Sequence, residues 1–246
     1  LETCKRLEGA GFDVTYLPVS SAGIVDIEAA RASINERTLF VSVMFANNEI
    51  GTLQPLFELS RVAHAKGALV HSDAAQAAGK VPIDVNAMGI DLLSMTAHKM
   101  YGPKGCGALY VKRNLPLCPM IEGGGHERGL RSGTLNVPGI VGLGKAAALA
   151  KAEMPVEAER LRTLRDRLNQ KLHANLDELY INGSMEHRLP HNLNVSFAYV
   201  EGESLLMGIN DVAVSSGSGC TSASLEPPYV LKALGAGDDL AHSSIR

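Results

Sequence analysis

The run Thr38-Leu39-Phe40-Val41-Ser42-Val43-Met44-Phe45 is apolar, rich in β-branched and aromatic residues, and too short for a helix of ordinary length. It predicts a strand. Residues 55–66 follow as a helix begun by Pro55 and ended by Gly67, and residues 68–72 form a second short apolar strand. Strand, helix, strand in this order is the pattern of a parallel α/β sheet, with ligands bound beyond the carboxyl ends of its strands.

Working outward, residues 4–10 have helical spacing, and residues 12–17 alternate as a strand would. Asp26 is placed to cap a helix running to Ile34. Residues 92–95 and 108–111 add two further strands that read as buried. A helical run at residues 141–152 is interrupted at Met154-Pro155, and beyond it Leu161, Leu164, Leu168 and Leu172 form one apolar stripe on a solvated helix. Residues 193–197 alternate as a strand, residues 204–209 read as a short helix, and residues 212–214 as a strand. The expected organisation is a large α/β domain at residues 1–153 and a smaller α+β domain at residues 154–246.

Composition narrows the function. The 246 residues carry 23 basic and 26 acidic side chains, a net charge of −3 that gives no field for nucleic acid or a membrane surface. Cys4, Cys106, Cys118 and Cys220 lie far apart, so neither a disulfide framework nor a metal site is indicated, and a reducing compartment follows. Cys4, Cys106 and Cys118 read as fillers of small spaces, and His64, His173 and His187 as surface residues. No apolar run suits a spanning helix, and a soluble protein is expected. With Leu at position 1, the chain reads as an excerpt of a longer protein.

Three stretches fall at the ends of the predicted strands: Asn47-Asn48-Glu49-Ile50-Gly51, Asp73-Ala74-Ala75-Gln76 and Thr96-Ala97-His98-Lys99. Singly, each reads as a turn, a helix cap or a surface lysine. Together they bring an acid, amides, an imidazole and an amine to one sheet edge. That set matches the needs of pyridoxal phosphate: a lysine for covalent attachment, an acid for the pyridine nitrogen, and donors for the ring hydroxyl and phosphate. Residues 123–134 are glycine-rich but match neither a P-loop nor a dinucleotide fingerprint. His126, Arg128 and Arg131 within them read as interface charges. Around Cys220, residues 214–227 are mostly Ser, Gly, Thr and Ala, which fits a mobile reactive thiol and a surface loop with an incidental cysteine equally well.

These stretches carry a resemblance. With Val43-Met44, Tyr101-Gly102-Pro103-Lys104-Gly105, Tyr199-Val200-Glu201-Gly202-Glu203-Ser204 and residues 215–225, they make the chain resemble, along its whole length, the cysteine desulfurases of iron-sulfur-cluster assembly. Those are fold type I pyridoxal phosphate enzymes of the class V aminotransferase family, with a mainly parallel sheet of the seven-stranded type. The resemblance implies that Lys99 binds the cofactor covalently, Asp73 sits by the pyridine nitrogen, Gln76 bonds the ring hydroxyl and Asn48 lies beside ring and substrate. Thr96 and His98 would bind the phosphate region, His98 would also shuttle protons, and Thr134 would reach the phosphate of a neighbouring subunit. A homodimer with shared active sites follows.

By the same resemblance Arg246 grips the substrate carboxylate, and Cys220, on a mobile loop at 215–227, receives sulfur from L-cysteine as a persulfide, leaving L-alanine. Partners would be an iron-sulfur scaffold protein and other sulfur acceptors, in a bacterial cytoplasm ahead of a mitochondrial matrix. No resident metal is expected, although Cys220 would contact an iron-sulfur cluster transiently. Selenocysteine lyase, and a non-catalytic fragment or scaffold of sulfur assembly, are the alternatives. The family has a ring-stacking histidine and a phosphate-binding turn before the point where this chain starts, and continues past Arg246. Thr96-Ala97, Gly219 and Pro228 stand where the family usually has Ser-Gly, Ala and Ser.

Overall fold

The computed structural model describes residues 1–216 and 228–246. Helix α1 (Glu2–Gly9) leads through an extended segment to α2 (Ile27–Ser33), where Asp26 accepts from the Glu28 and Ala29 amides as the expected cap. Strand β1 (Phe40–Met44), helix α3 (Leu56–His64) and strand β2 (Leu69–Asp73) realise the predicted unit, with Gly67 in the left-handed region at φ 78° closing the helix. Strands β3 (Leu92–Thr96) and β4 (Gly107–Val111) complete a sheet of order β1-β2-β3-β4. The first three strands are parallel, and β4 joins antiparallel.

The sheet has two unlike faces because side chains alternate along each strand. Val41, Val70 and Leu93 point to one side. There they join Ala30, Leu59 and Val62 from α2 and α3, or Leu56 and Ala77, in apolar clusters. Ser42, His71, Asp73, Ser94 and Thr96 point to the other. That second face carries the polar side chains of the sheet.

A single helix, α4 (Val137–Asn175), runs unbroken through Pro155, contrary to the interruption expected at Met154-Pro155. Proline removes one helical hydrogen bond, but Pro155 is exposed, so the carbonyl it would have engaged can turn to water. A second sheet, β5-β6-β7, combines β5 (Leu179–Ile181) and β6 (Val195–Phe197) with β7 (Ser244–Ile245), all antiparallel. Short helices α5 (Gly202–Gly208), α6 (Tyr229–Ala233) and α7 (Asp238–His242) flank it, and Val230, Leu231 and Ala241 pack on Ile50.

Other expectations are corrected. Residues 12–17 form no strand; Phe12 and Tyr16 are half exposed, and no neighbouring strand supplies a ladder. Strand β4 is an edge strand with Leu109 half exposed, not a buried one. Residues 212–214 are irregular, and the pairing occurs one residue later, where Ser215 and Arg246 exchange both main-chain hydrogen bonds. Cys118 is exposed and fills no space. His64 is exposed as expected, and from the surface it bonds a buried carboxylate (2.7 Å to Asp91 Oδ2). Among the described residues no helix is long and apolar enough to cross a membrane, and no His, Cys, Asp and Glu cluster suits a metal.

Candidate active site

In-register pairing sets Met44 beside Asp73 and Asp73 beside Ser94, so the candidate stretches leave adjacent strand ends. Asp73 is the last residue of β2, half-buried, and its Oδ1 accepts from the Ala75 amide at 2.8 Å. This starts the turn that carries Gln76. Among the described residues no hydrogen bond engages Asp73 Oδ2. Thr96 ends β3 on the same face. Its Oγ1 lies 2.8 Å from His98 Nδ1 and 3.4 Å from the Cys106 carbonyl.

The chain then makes a 3-10 turn (Ala97–Met100) whose buried Ala97 and Met100 anchor it while His98 and Lys99 stand exposed. Four candidates thus meet on one edge by strand register and one tight turn.

Asn48 reaches the same edge from the loop after β1. Asn47 shapes that loop by accepting from the Glu49 and Ile50 amides at 2.8 and 3.0 Å. Gly51 follows at φ 70°, and a Cβ there would lie 2.5 Å from the Asn192 side chain, so both conformation and space require glycine. The segment leading into β6 holds the loop. Asn192 and Asn194 both donate to the Glu49 carbonyl, at 3.2 and 3.3 Å. Buried Arg188 donates to Asn192 Oδ1, to the Ser184 carbonyl and to the Asn182 carbonyl. Arg246 Nη1 donates to the Asn48 carbonyl at 2.6 Å, which brings residues 48 and 246 together across the two sheets.

Three features of this region are not anticipated by the sequence. His71 sits two residues below Asp73 on the same face, between Ser42 Oγ (2.9 Å) and Ser94 Oγ (3.2 Å). Desolvation lowers its pKa, against the pull of Asp73. Glu49 is only 1% exposed, and among the described residues its Oε2 has no hydrogen-bond partner; burial pushes its carboxyl up, and the Arg246 charge partly opposes this. Lys80 is 6% exposed, and among the described residues its ammonium makes no hydrogen bond. Alternation along β2 could have pointed to His71, but nothing in the sequence distinguishes a buried Lys80 from a solvated one.

Thr134 is exposed on the segment leading into α4, together with His126, Arg128 and Arg131. Cys220 and most of the expected 215–227 loop lie outside the described residues.

Known proteins agree with this architecture. The chain is 59% identical over its whole length to "Cysteine desulfurase IscS" of Anaeromyxobacter sp. (strain Fw109-5), and spans 61% of that protein's length. A structure titled "NIFS-LIKE PROTEIN" matches 99% of this chain and 64% of its own, with a TM-score of 0.90 at 40% identity. DndA from Streptomyces lividans matches 99% of this chain and 70% of its own, with a TM-score of 0.85 at 36% identity. The description Aminotransferase class-V matches residues 1–237, almost all of the chain, and with the strand-end arrangement above this makes the protein a member of the class-V aminotransferase family.

Proposed function

We propose that the protein is a cysteine desulfurase that uses pyridoxal phosphate to move sulfur from L-cysteine to Cys220, releasing L-alanine. The observation that carries this reading is the meeting of Lys99, Asp73 and Thr96-His98 on adjacent strand ends, in a chain 59% identical throughout to a protein named cysteine desulfurase. The donor set fits the cofactor: an exposed amine on a short turn, a half-buried carboxylate with an oxygen to spare, and a hydroxyl paired with an imidazole. Bound there, pyridoxal phosphate supplies an electron sink for the substrate's Cα.

Lys99 would hold the cofactor covalently and then take the proton from the substrate Cα. Asp73 would keep a proton on the pyridine nitrogen, Gln76 would orient the ring hydroxyl, and Asn48 would border ring and substrate. Thr96 and His98 would hold the phosphate region, and His98 would carry protons at its free nitrogen. Arg246, with Nη1 on the Asn48 carbonyl, offers its remaining guanidinium N–H groups to the substrate carboxylate. Cys220 Sγ, as thiolate, bonds to the substrate sulfur while the Cβ–S bond breaks. The electron pair stays with the three-carbon product, which takes one proton at Cβ, regains one at Cα from Lys99, and leaves as L-alanine.

Thr134, His126, Arg128 and Arg131 project from an exposed segment, as a homodimer with shared active sites requires. A large domain at 1–153, a small one at 154–246, a bacterial cytoplasmic setting and delivery of sulfur to an iron-sulfur scaffold protein and other acceptors complete the reading. The test is cysteine-dependent sulfide release by the full-length protein. Lys99→Ala should abolish both the cofactor's visible absorbance and turnover, and Cys220→Ser should abolish turnover while the absorbance stays. Sulfide release untouched by Cys220→Ser would overturn the reading, and persistent selenocysteine cleavage in that variant would mark a selenocysteine lyase.

A further inference from the structure

Tyr101 closes the 3-10 turn that presents Lys99, and does so at φ 62°, a left-handed conformation that bulky residues rarely adopt. Such a backbone persists where its surroundings over-determine it. Here the surroundings are specific. Lys80 Nζ lies 3.8 Å from the centroid of the Tyr101 ring, and the Tyr101 hydroxyl donates to Glu157 Oε1 at 3.3 Å. Glu157 Oε2 lies 3.8 Å from Lys80 Nζ, closing a triangle of ring, ammonium and carboxylate.

The three residues come from three separate pieces of the fold: the turn after β2, the turn after β3, and α4 just beyond Pro155. Met100, next to Lys99, packs against Ala78 and Ala146, so the same turn is held to α4 on its apolar side as well. Burying an ammonium with no hydrogen bond is unfavourable unless other groups compensate it. The ring face and one carboxylate are the compensation, and both act at the residue two positions from Lys99. His191 registers the same grouping. Desolvation and then the Lys80 charge hold its imidazole down to about 4, with Glu157 pulling it up and Lys99 adding to the lowering, so Lys80, Glu157 and Lys99 all act on one imidazole.

We infer that Lys80, Tyr101 and Glu157 form a clamp that positions Lys99 for covalent attachment of the cofactor, with Lys80 acting through the Tyr101 ring and not on the cofactor itself. The inference rests on Lys99 being the attachment residue, as proposed above. Its test uses the full-length protein freed of cofactor and then given pyridoxal phosphate. Two quantities are followed: the rate at which the visible absorbance forms, and the fraction of Lys99 peptide carrying borohydride-fixed cofactor by mass spectrometry.

Lys80→Met and Tyr101→Leu should each slow attachment about 5-fold, the upper end for a cation held on a ring that is itself exposed to solvent. Lys80→Arg keeps a cation over the ring and should return the rate to within about 2-fold of wild type. Melting midpoints measured on the cofactor-free proteins separate this from general unfolding, since Lys80→Arg and Lys80→Met should differ in attachment more than in stability. Wild-type rates in both Lys80→Met and Tyr101→Leu would overturn the clamp, as would equal slowing in Lys80→Arg and Lys80→Met. Wild-type protein with no label on Lys99 would instead overturn the assignment of Lys99, and the clamp with it.

Discussion

Asp91 stands just before β3, at the opposite end of the sheet from the candidate site, and its removal gives the sharpest test of how that sheet is held. Its side chain is 2% exposed and fully engaged. Oδ2 accepts from the Val70 amide at 2.9 Å and from His64 Nε2 at 2.7 Å, while Oδ1 accepts from Lys112 Nζ at 2.9 Å. Asp91→Ala would strand the Val70 amide in a buried position, which costs about 1–3 kcal/mol. Lys112 and His64 are 54% and 37% exposed, so both can turn to water, and removing each contact costs only about 0.5–1 kcal/mol. A total of about 3 kcal/mol is expected. For a chain of this length that lowers the melting midpoint by about 6–12 °C.

The pH dependence of the same group has a definite sign. Desolvation is the largest influence on Asp91 and pushes its pKa up, but the bonds from Lys112, His64 and the Val70 amide together outweigh it and bring the carboxyl below its ordinary 3.8. A depressed carboxyl stabilises the fold fully above its unfolded value and loses that contribution as pH falls through the folded one. The stability gap between wild type and Asp91→Asn should therefore be constant at neutral pH and shrink only below about 3.8, where thermal or urea unfolding would detect it. A gap independent of pH down to about 3, or an Asp91→Ala loss under about 1 kcal/mol, would refute the reasoning.

Two further outcomes follow from the loop that carries Asn48. Gly51→Ala forces a side chain into the left-handed region and against buried Asn192, and should cost about 3 kcal/mol in urea unfolding, whereas Gly67→Ala, with open space around its Cβ position, should cost only the backbone part of that. Glu49→Gln should act with the opposite pH sense to Asp91: because burial raises the Glu49 pKa above 4.5, the folded state's preference for the protonated carboxyl is lost as pH rises. The variant should gain on wild type by up to about 1.4 kcal/mol per pH unit in that window, and parallel stability curves would contradict this.

The strand-helix-strand unit was legible because its apolar run, its proline start and its glycine stop all report local preferences that the packed fold keeps. The Asn48, Asp73 and Thr96-His98-Lys99 stretches were legible as strand ends for the same reason. What local pattern could not show were consequences of distant partners. Residues 12–17 alternate correctly but have no strand to pair with, and β7 is two residues that become a strand only beside β6. Pro155 announced a break that the helix absorbs, since its surroundings are open to solvent. Lys80 and Glu49 read as ordinary charges, and only the fold buries them.

The hydrogen bond from Arg246 to the Asn48 carbonyl joins positions 198 residues apart, while the strand-helix-strand unit closes within 34 residues, from Phe40 to Asp73. Bringing distant segments together costs more chain entropy than bringing near ones, and contacts of long sequence separation are the slow ones to form. The β1-α3-β2 part of the sheet is therefore expected to form early, whereas the Arg246 contact waits until the second sheet has been completed by β7. Refolding should thus set the Asp73 strand end before it fixes the Arg246 guanidinium on the Asn48 carbonyl.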